Sequence, residues 1–151
     1  MTGFSHATTG VVIALAVHNP VLALPMALAS HFVLDAIPHY GDDNLDGSNK
    51  AFRRFILIDA IAGFSISALM FFLLPEQRVL IVLCAIMATI PDLMWLPNHI
   101  RQINNQPSKP HNRLMRWHYD IQFEHPVWGI AAEVLWAVAM LSFIVLVFIG
   151  R

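Results

Sequence analysis

Apolar residues fill five stretches of the chain, and proline, asparagine and clustered charge set the breaks between them. Residues 7–17, "ATTGVVIALAV", predict a short helix. "HNP" at 18–20 predicts a turn, because proline restricts the residue before it and cannot continue a helix. Residues 21–37 then run back, so 7–37 reads as a helical hairpin. At about 1.5 Å per residue the first arm is too short to cross a hydrocarbon core of about 30 Å, so it is expected to be re-entrant or enclosed by protein. Three longer apolar runs, 52–74, 79–97 and 127–149, predict transmembrane helices. "PEQR" makes the tight turn between the first two, and the polar stretch 98–125 leads into the third. The expected fold is all-α: an integral membrane helical bundle over residues 1–151, a short N-terminal helical hairpin plus three further spans.

Composition agrees with this pattern. The chain is 57% hydrophobic and 13% charged, far from an average soluble protein, and its mean hydropathy is +0.60. A net charge of -1 gives no electrostatic footprint for nucleic acid. The single cysteine, Cys84, excludes an internal disulfide and a cysteine metal cluster. The opening "MTGFSHATTG" has no Lys or Arg, so the basic region of a secretory signal is not expected. Tracing the spans puts Lys50, Arg53, Arg54, Arg101, Lys109, Arg113 and Arg116 on one face, against Arg78 and Arg151 on the other. The positive-inside rule then makes the first face, where the hairpin opens, cytoplasmic, as for an inner membrane.

The same tracing brings most unusual polar residues to that one depth. His6 opens the first arm, and "SHFVLDAIPHYGDD" at 30–43 carries His31, Asp35 and His39 across a helix end. His31 and Asp35 are four apart, the spacing at which two side chains on one helix face can share an ion. Pro38 stops that helix, leaving His39 able to turn back. Pro91 in "TIPDLMW" predicts a bend that offers Asp92 inward and frees the carbonyl of Met87. His118, Glu124 and His125 lead into the last span. Imidazole with carboxylate suits zinc, with manganese or iron also possible. The candidate ligands are His6, His31, Asp35, His39, Asp92, His118 and His125, with Glu124 the candidate for proton transfer.

Asp59 and Glu133 lie about two turns inside the membrane, where an acid costs about 2.5–3.5 kcal/mol and needs a partner. They are expected to orient ligand histidines from below. "DDNLDG" at 42–47 matches the start of a calcium loop, but Arg53 stands at its twelfth position, where glutamate is needed. An Asx-turn-rich loop is the plainer reading. His18 is expected to finish a turn, His99 and His111 to be solvated, and Trp95, Trp117 and Trp128 to anchor at the membrane boundary.

With His6 near the start, "LDAIPH" at a helix end and "HYDIQFEH" before the last span, the chain resembles the YdjM-like family of small membrane-bound proteins predicted to be metal-dependent hydrolases. Asp35 through His39 would correspond to that family's "PDxDH"-type helix end, and His118 through His125 to its "HRGxTHS"-type motif. The spacing here is "DAIPH", and "HYDIQFEH" has neither the glycine nor the Thr-His-Ser. The His-x-x-x-Asp pair is also similar to one element of zinc-dependent phospholipases C. Together these imply a metal-dependent hydrolase acting on an ester or phosphoester of a lipid or lipid-linked substrate, with Arg113 and Arg116 available to a phosphate. Two rivals make different predictions. Metal or proton translocation would use Asp59 and Glu133 and needs a polar trail toward the opposite face, where only Ser65, Ser67 and Ser142 stand. A structural or assembly protein would use the polar layer only to pack helices.

Overall fold

The computed structural model describes residues 1–41 and 46–150; most of the calcium-like "DDNLDG" therefore lies outside the described residues. Among them the chain is helical: α1 (Gly3–Ala16), α2 (Pro20–Asp35), α3 (Lys50–Leu73), α4 (Arg78–Thr89), a 3-10 segment (Ile90–Trp95), α5 (Leu96–Ile103), α6 (Arg113–Ile121) and α7 (Trp128–Ile149). Asparagine caps three of the starts. Asn19 Oδ1 accepts from Val21 N at 2.9 Å, Asn49 Oδ1 from Ala51 N at 2.8 Å, and Asn112 Oδ1 from Met115 N at 2.9 Å. Among the described residues three helices are long and apolar enough to cross a membrane: α3, α7, and the bent helix that runs from Arg78 to Ile103. Their outward faces carry Leu57, Ile58, Leu135 and Leu146, which suits hydrocarbon as the solvent.

The short arm of the hairpin is the centre of the bundle. α1 packs against α2, α3, α4 and α7, and its Val11, Ala14 and Leu15 are buried with Ile81, Cys84 and Ala88 of α4 and Ala23 and Ala27 of α2. Close approach explains the small residues. A Cβ on Gly10 would sit 2.5 Å from the carbonyl oxygen of Cys84. Gly10→Ala is therefore expected to push α1 off α4 and cost about 1–3 kcal/mol, read as a lowered unfolding temperature in detergent.

The 98–125 stretch differs from the expected loop. The span that begins at Arg78 continues past its bend into α5, and α6 forms after the Asn112 cap. The link between them folds back onto α5: Asn98 exchanges two hydrogen bonds with the Lys109 backbone, at 2.9 and 3.1 Å, and Arg101 Nε donates to the Pro107 carbonyl at 2.7 Å. Asn105 turns the chain there with φ 53°. The segment after α6 then pairs with the end of α2 as a short parallel bridge. Phe123 N donates to the Asp35 carbonyl (2.9 Å), His39 N to that of Phe123 (3.0 Å), and His125 N to that of His39 (2.9 Å). Gly129 makes this possible, since a Cβ there would lie 2.2 Å from the His39 carbonyl carbon. Backbone pairing is what lays α6 across the end of α2.

Candidate metal centre

Four side chains from three parts of the chain present one ligand atom each within 4.8 Å of one another: His31 and Asp35 of α2, Asp92 of the 3-10 segment and His118 of α6. His31 Nε2 lies 3.2 Å from His118 Nε2, 3.2 Å from Asp35 Oδ2 and 3.7 Å from Asp92 Oδ1. Ligands at 2.0–2.1 Å around a tetrahedral zinc are separated by about 3.3 Å, so three of these donors already stand close to coordinating distance. Asp35 Oδ2 and His118 Nε2 are drawn closer, to 2.7 Å.

The second nitrogen of each histidine fixes what the first presents. His31 Nδ1 faces the Ala88 carbonyl at 2.8 Å, and because a carbonyl only accepts, Nδ1 carries a proton and Nε2 is the nitrogen turned toward the cluster. An α-helix would commit the Ala88 carbonyl to the amide of Asp92; the tighter winding that begins at Ile90 makes it available to His31. The bend at Pro91 thus does two things, aiming Asp92 and orienting His31. His118 Nδ1 faces the thioether of Met94 at 3.3 Å, again an acceptor. Two imidazole Nε2 atoms and a carboxylate oxygen therefore converge inside the protein, with His31, Asp35 and His118 almost wholly enclosed. Such a set repels itself unless a proton or a metal ion lies between its members. The cluster can hold a metal ion.

His6 stands behind this group. Its Nε2 lies 3.1 Å from Asp35 Oδ1, the oxygen turned away from His31 and His118, and its ring stacks on His31 with centroids 4.1 Å apart. The Met1 amino group pairs with the same oxygen. His6 thereby orients Asp35, an outer role of the kind that tunes metal sites.

The other sequence candidates go elsewhere. His39 is buried, but its Nδ1 donates to the Ile37 carbonyl at 2.9 Å and the structure does not bring it into the four-residue group. Burial holds its imidazole below the usual pKa. His125 is a helix cap: its Nδ1 accepts from Val127 N (3.3 Å) and Trp128 N (3.1 Å) at the start of α7. Asp59 and Glu133 do not reach ligand histidines. Asp59 accepts from Gly3 N (2.7 Å) and Phe4 N (3.0 Å), and Glu133 from Thr2 N (2.8 Å), Thr2 Oγ1 (2.9 Å) and Ser5 Oγ (2.5 Å). Both acids cap α1. Comparison with protein-family models, with curated proteins and with solved structures finds no match.

A cavity of about 1220 Å³ opens beside the cluster, and Asp92, Glu124 and His39 line it. The Asp92 side chain is 36% exposed whereas those of His31, Asp35 and His118 are not, so the cluster meets the cavity through Asp92. His99 and His111, expected to be solvated, line the same cavity, with rings against Phe52 and Trp95 respectively. His99 follows Asp92 by seven residues, a helical repeat that marks a shared face. His111 lies in the connecting segment and carries no such signal. Trp95 packs inward against His118, ring centroids 5.6 Å apart, while Trp117 and Trp128 stay exposed as boundary anchors would. Arg113 and Arg116 are exposed and do not line the cavity.

Proposed function

We propose that this protein is a membrane-embedded, metal-dependent hydrolase that cleaves an ester or phosphoester of a lipid or lipid-linked substrate at the cytoplasmic face. The observation that carries the reading is the convergence of His31, Asp35 and His118 with Asp92 at the edge of a large, mostly apolar cavity. Three enclosed donors and one half-exposed carboxylate resemble a catalytic arrangement, in which three protein ligands leave a position toward substrate. Zinc suits two imidazoles and the Asp35 carboxylate at these separations, with the fourth position left on the Asp92 side; manganese and iron are the alternatives. A divalent ion held there supplies Lewis acidity toward a carbonyl or phosphoryl oxygen and lowers the pKa of water. The Ala88 carbonyl and Met94 engage Nδ1 of the two imidazoles and so turn both Nε2 atoms toward the ion, and His6 fixes the far side of Asp35. Glu124 shares the cavity with Asp92 and remains the candidate for moving a proton. The YdjM-like resemblance implies the same class of reaction.

The test is turnover by detergent-purified protein loaded with zinc, manganese or iron, offered monoacyl and diacyl lipids with ester and phosphoester linkages. Hydrolysis should stop with chelator, return with metal, and fall in Asp92→Asn. Metal-loaded protein that cleaves none of them would overturn the hydrolase. A packing role is the second reading, because Asp35 alone joins α1, α2 and α6. It predicts a protein that holds no metal.

A further inference from the structure

The metal cluster occupies only one end of the cavity. The cavity's volume, about 1220 Å³, exceeds the roughly 300–1,000 Å³ of ordinary small-ligand sites. Along α3 its wall is Phe52, Ile56, Ala60, Phe64, Ser67 and Phe71, a helical repeat that follows one face of the span from its polar end nearly to the opposite boundary. At about 1.5 Å per residue this wall is close to 30 Å long, the thickness of the hydrocarbon core. Val82, Ile86 and Leu93 face it from the next span, and Gly3 and Ala7 of α1 form a floor of small residues. Ser67 does not make this wall polar, because its hydroxyl donates to the Gly63 carbonyl at 2.9 Å.

Asp59 also stands on the α3 wall, its oxygens taken by the amides of Gly3 and Phe4, and the other charged and imidazole side chains of the lining collect at the other end, around Asp92. There the cleft is edged by Asp46, His99, Gln102, His111 and Glu124, and among its described lining residues there is no Lys or Arg. A divalent ion would be balanced by Asp35 and Asp92, leaving carboxylates in excess at the mouth. An anionic head group would meet repulsion there, while a neutral, zwitterionic or cationic one would not. The side of the cleft lies between two helices that can span a membrane, so what borders it is lipid.

We propose that this cleft takes one acyl chain of a bilayer lipid, entering sideways between α3 and the Arg78–Ile103 helix, and that it selects a lipid whose head group has no net negative charge, presenting that head at Asp92. The delivery of a scissile bond rests on the hydrolase reading; the binding of the chain does not.

The experiment places the protein in phosphatidylcholine nanodiscs doped with either phosphatidylcholine or phosphatidylglycerol bearing a diazirine in one acyl chain, and maps the labelled residues by mass spectrometry. Labels should concentrate at Phe64, Ser67 and Phe71 over the outward-facing Leu135 and Leu146 of α7, several-fold more with the phosphatidylcholine probe. Ala60→Phe, and independently Ser67→Phe, should fill the cleft and lower labelling there several-fold while leaving α7 labelling unchanged. A protein that bound the chain in the cleft yet hydrolysed nothing would keep this inference and lose the hydrolase. Equal labelling of cleft and α7, or cleft labelling indifferent to both phenylalanines, would show ordinary boundary lipid and overturn the cleft. Equal or stronger labelling by phosphatidylglycerol would overturn the head-group selection.

Discussion

Asp35→Asn is expected to reduce bound metal from about one ion per chain to background while the helices persist. Asp35 is the only side chain of the cluster with both oxygens in use, Oδ2 toward His31 and His118 and Oδ1 toward His6. Replacing one oxygen by an amide puts donor hydrogens where a cation needs lone pairs, yet keeps the shape and part of the hydrogen bonding. Asp35→Ala removes the shape as well. It leaves three imidazoles without their common partner in an enclosed site, a loss of about 3–5 kcal/mol when a buried ionic contact loses one member. Elemental mass spectrometry on detergent-purified protein, alongside thermal unfolding followed by circular dichroism, separates the two effects. Metal lost in Asp35→Asn with little change in melting identifies a binding site. Wild-type protein that holds no zinc, manganese or iron when offered each would instead assign the cluster to helix packing.

What was legible in the sequence follows from how local each signal is. The spacing of His31 and Asp35 is set within one helix, so periodicity alone put them on a shared face. Pro91 marked the bend that brings Asp92 in, but nothing in the sequence signalled that the Ala88 carbonyl there would meet His31. The spans were readable because burial in lipid needs long apolar runs, and the brevity of α1 correctly marked it as enclosed. The roles of His39 and His125 were not readable, since an imidazole that caps a helix or bonds to a nearby carbonyl has the same composition as one that ligates. Only the backbone pairing of 123–125 with the end of α2 distinguishes them. α6 was hidden for a related reason. It is nine residues long and polar on average, so although its apolar side chains segregate to one face it makes no run long enough to stand out, and its place is fixed by contacts with α2.

Asp59 and Glu133 show the same limit from the other side. Their depth announced a partner, but the partner is the start of another helix, and no residue type in the sequence encodes a backbone amide. An α-helix leaves its first amides without internal acceptors, and hydrocarbon offers none to replace them. Asp59 takes those of Gly3 and Phe4, and Glu133 takes that of Thr2 together with the hydroxyls of Thr2 and Ser5. Two carboxylates at this end also oppose the positive pole of the helix dipole. Asp59→Ala combined with Glu133→Ala is therefore expected to destabilise the protein by about 2–4 kcal/mol, two lost caps of about 1–2 kcal/mol each. Asp59→Asn with Glu133→Gln keeps one acceptor oxygen on each side chain and should cost less than half of that. The metal should weaken in the alanine pair as well, because α1 carries His6 to the far oxygen of Asp35. Thermal unfolding of the two double variants, with metal content measured on the same samples, tests this. A translocation pathway predicts the reverse order of effects: neutral isosteres would abolish proton or metal flux into liposomes while leaving the melt unchanged. Wild-type melting in the alanine pair would remove these acids from α1 and return them to the search for a pathway.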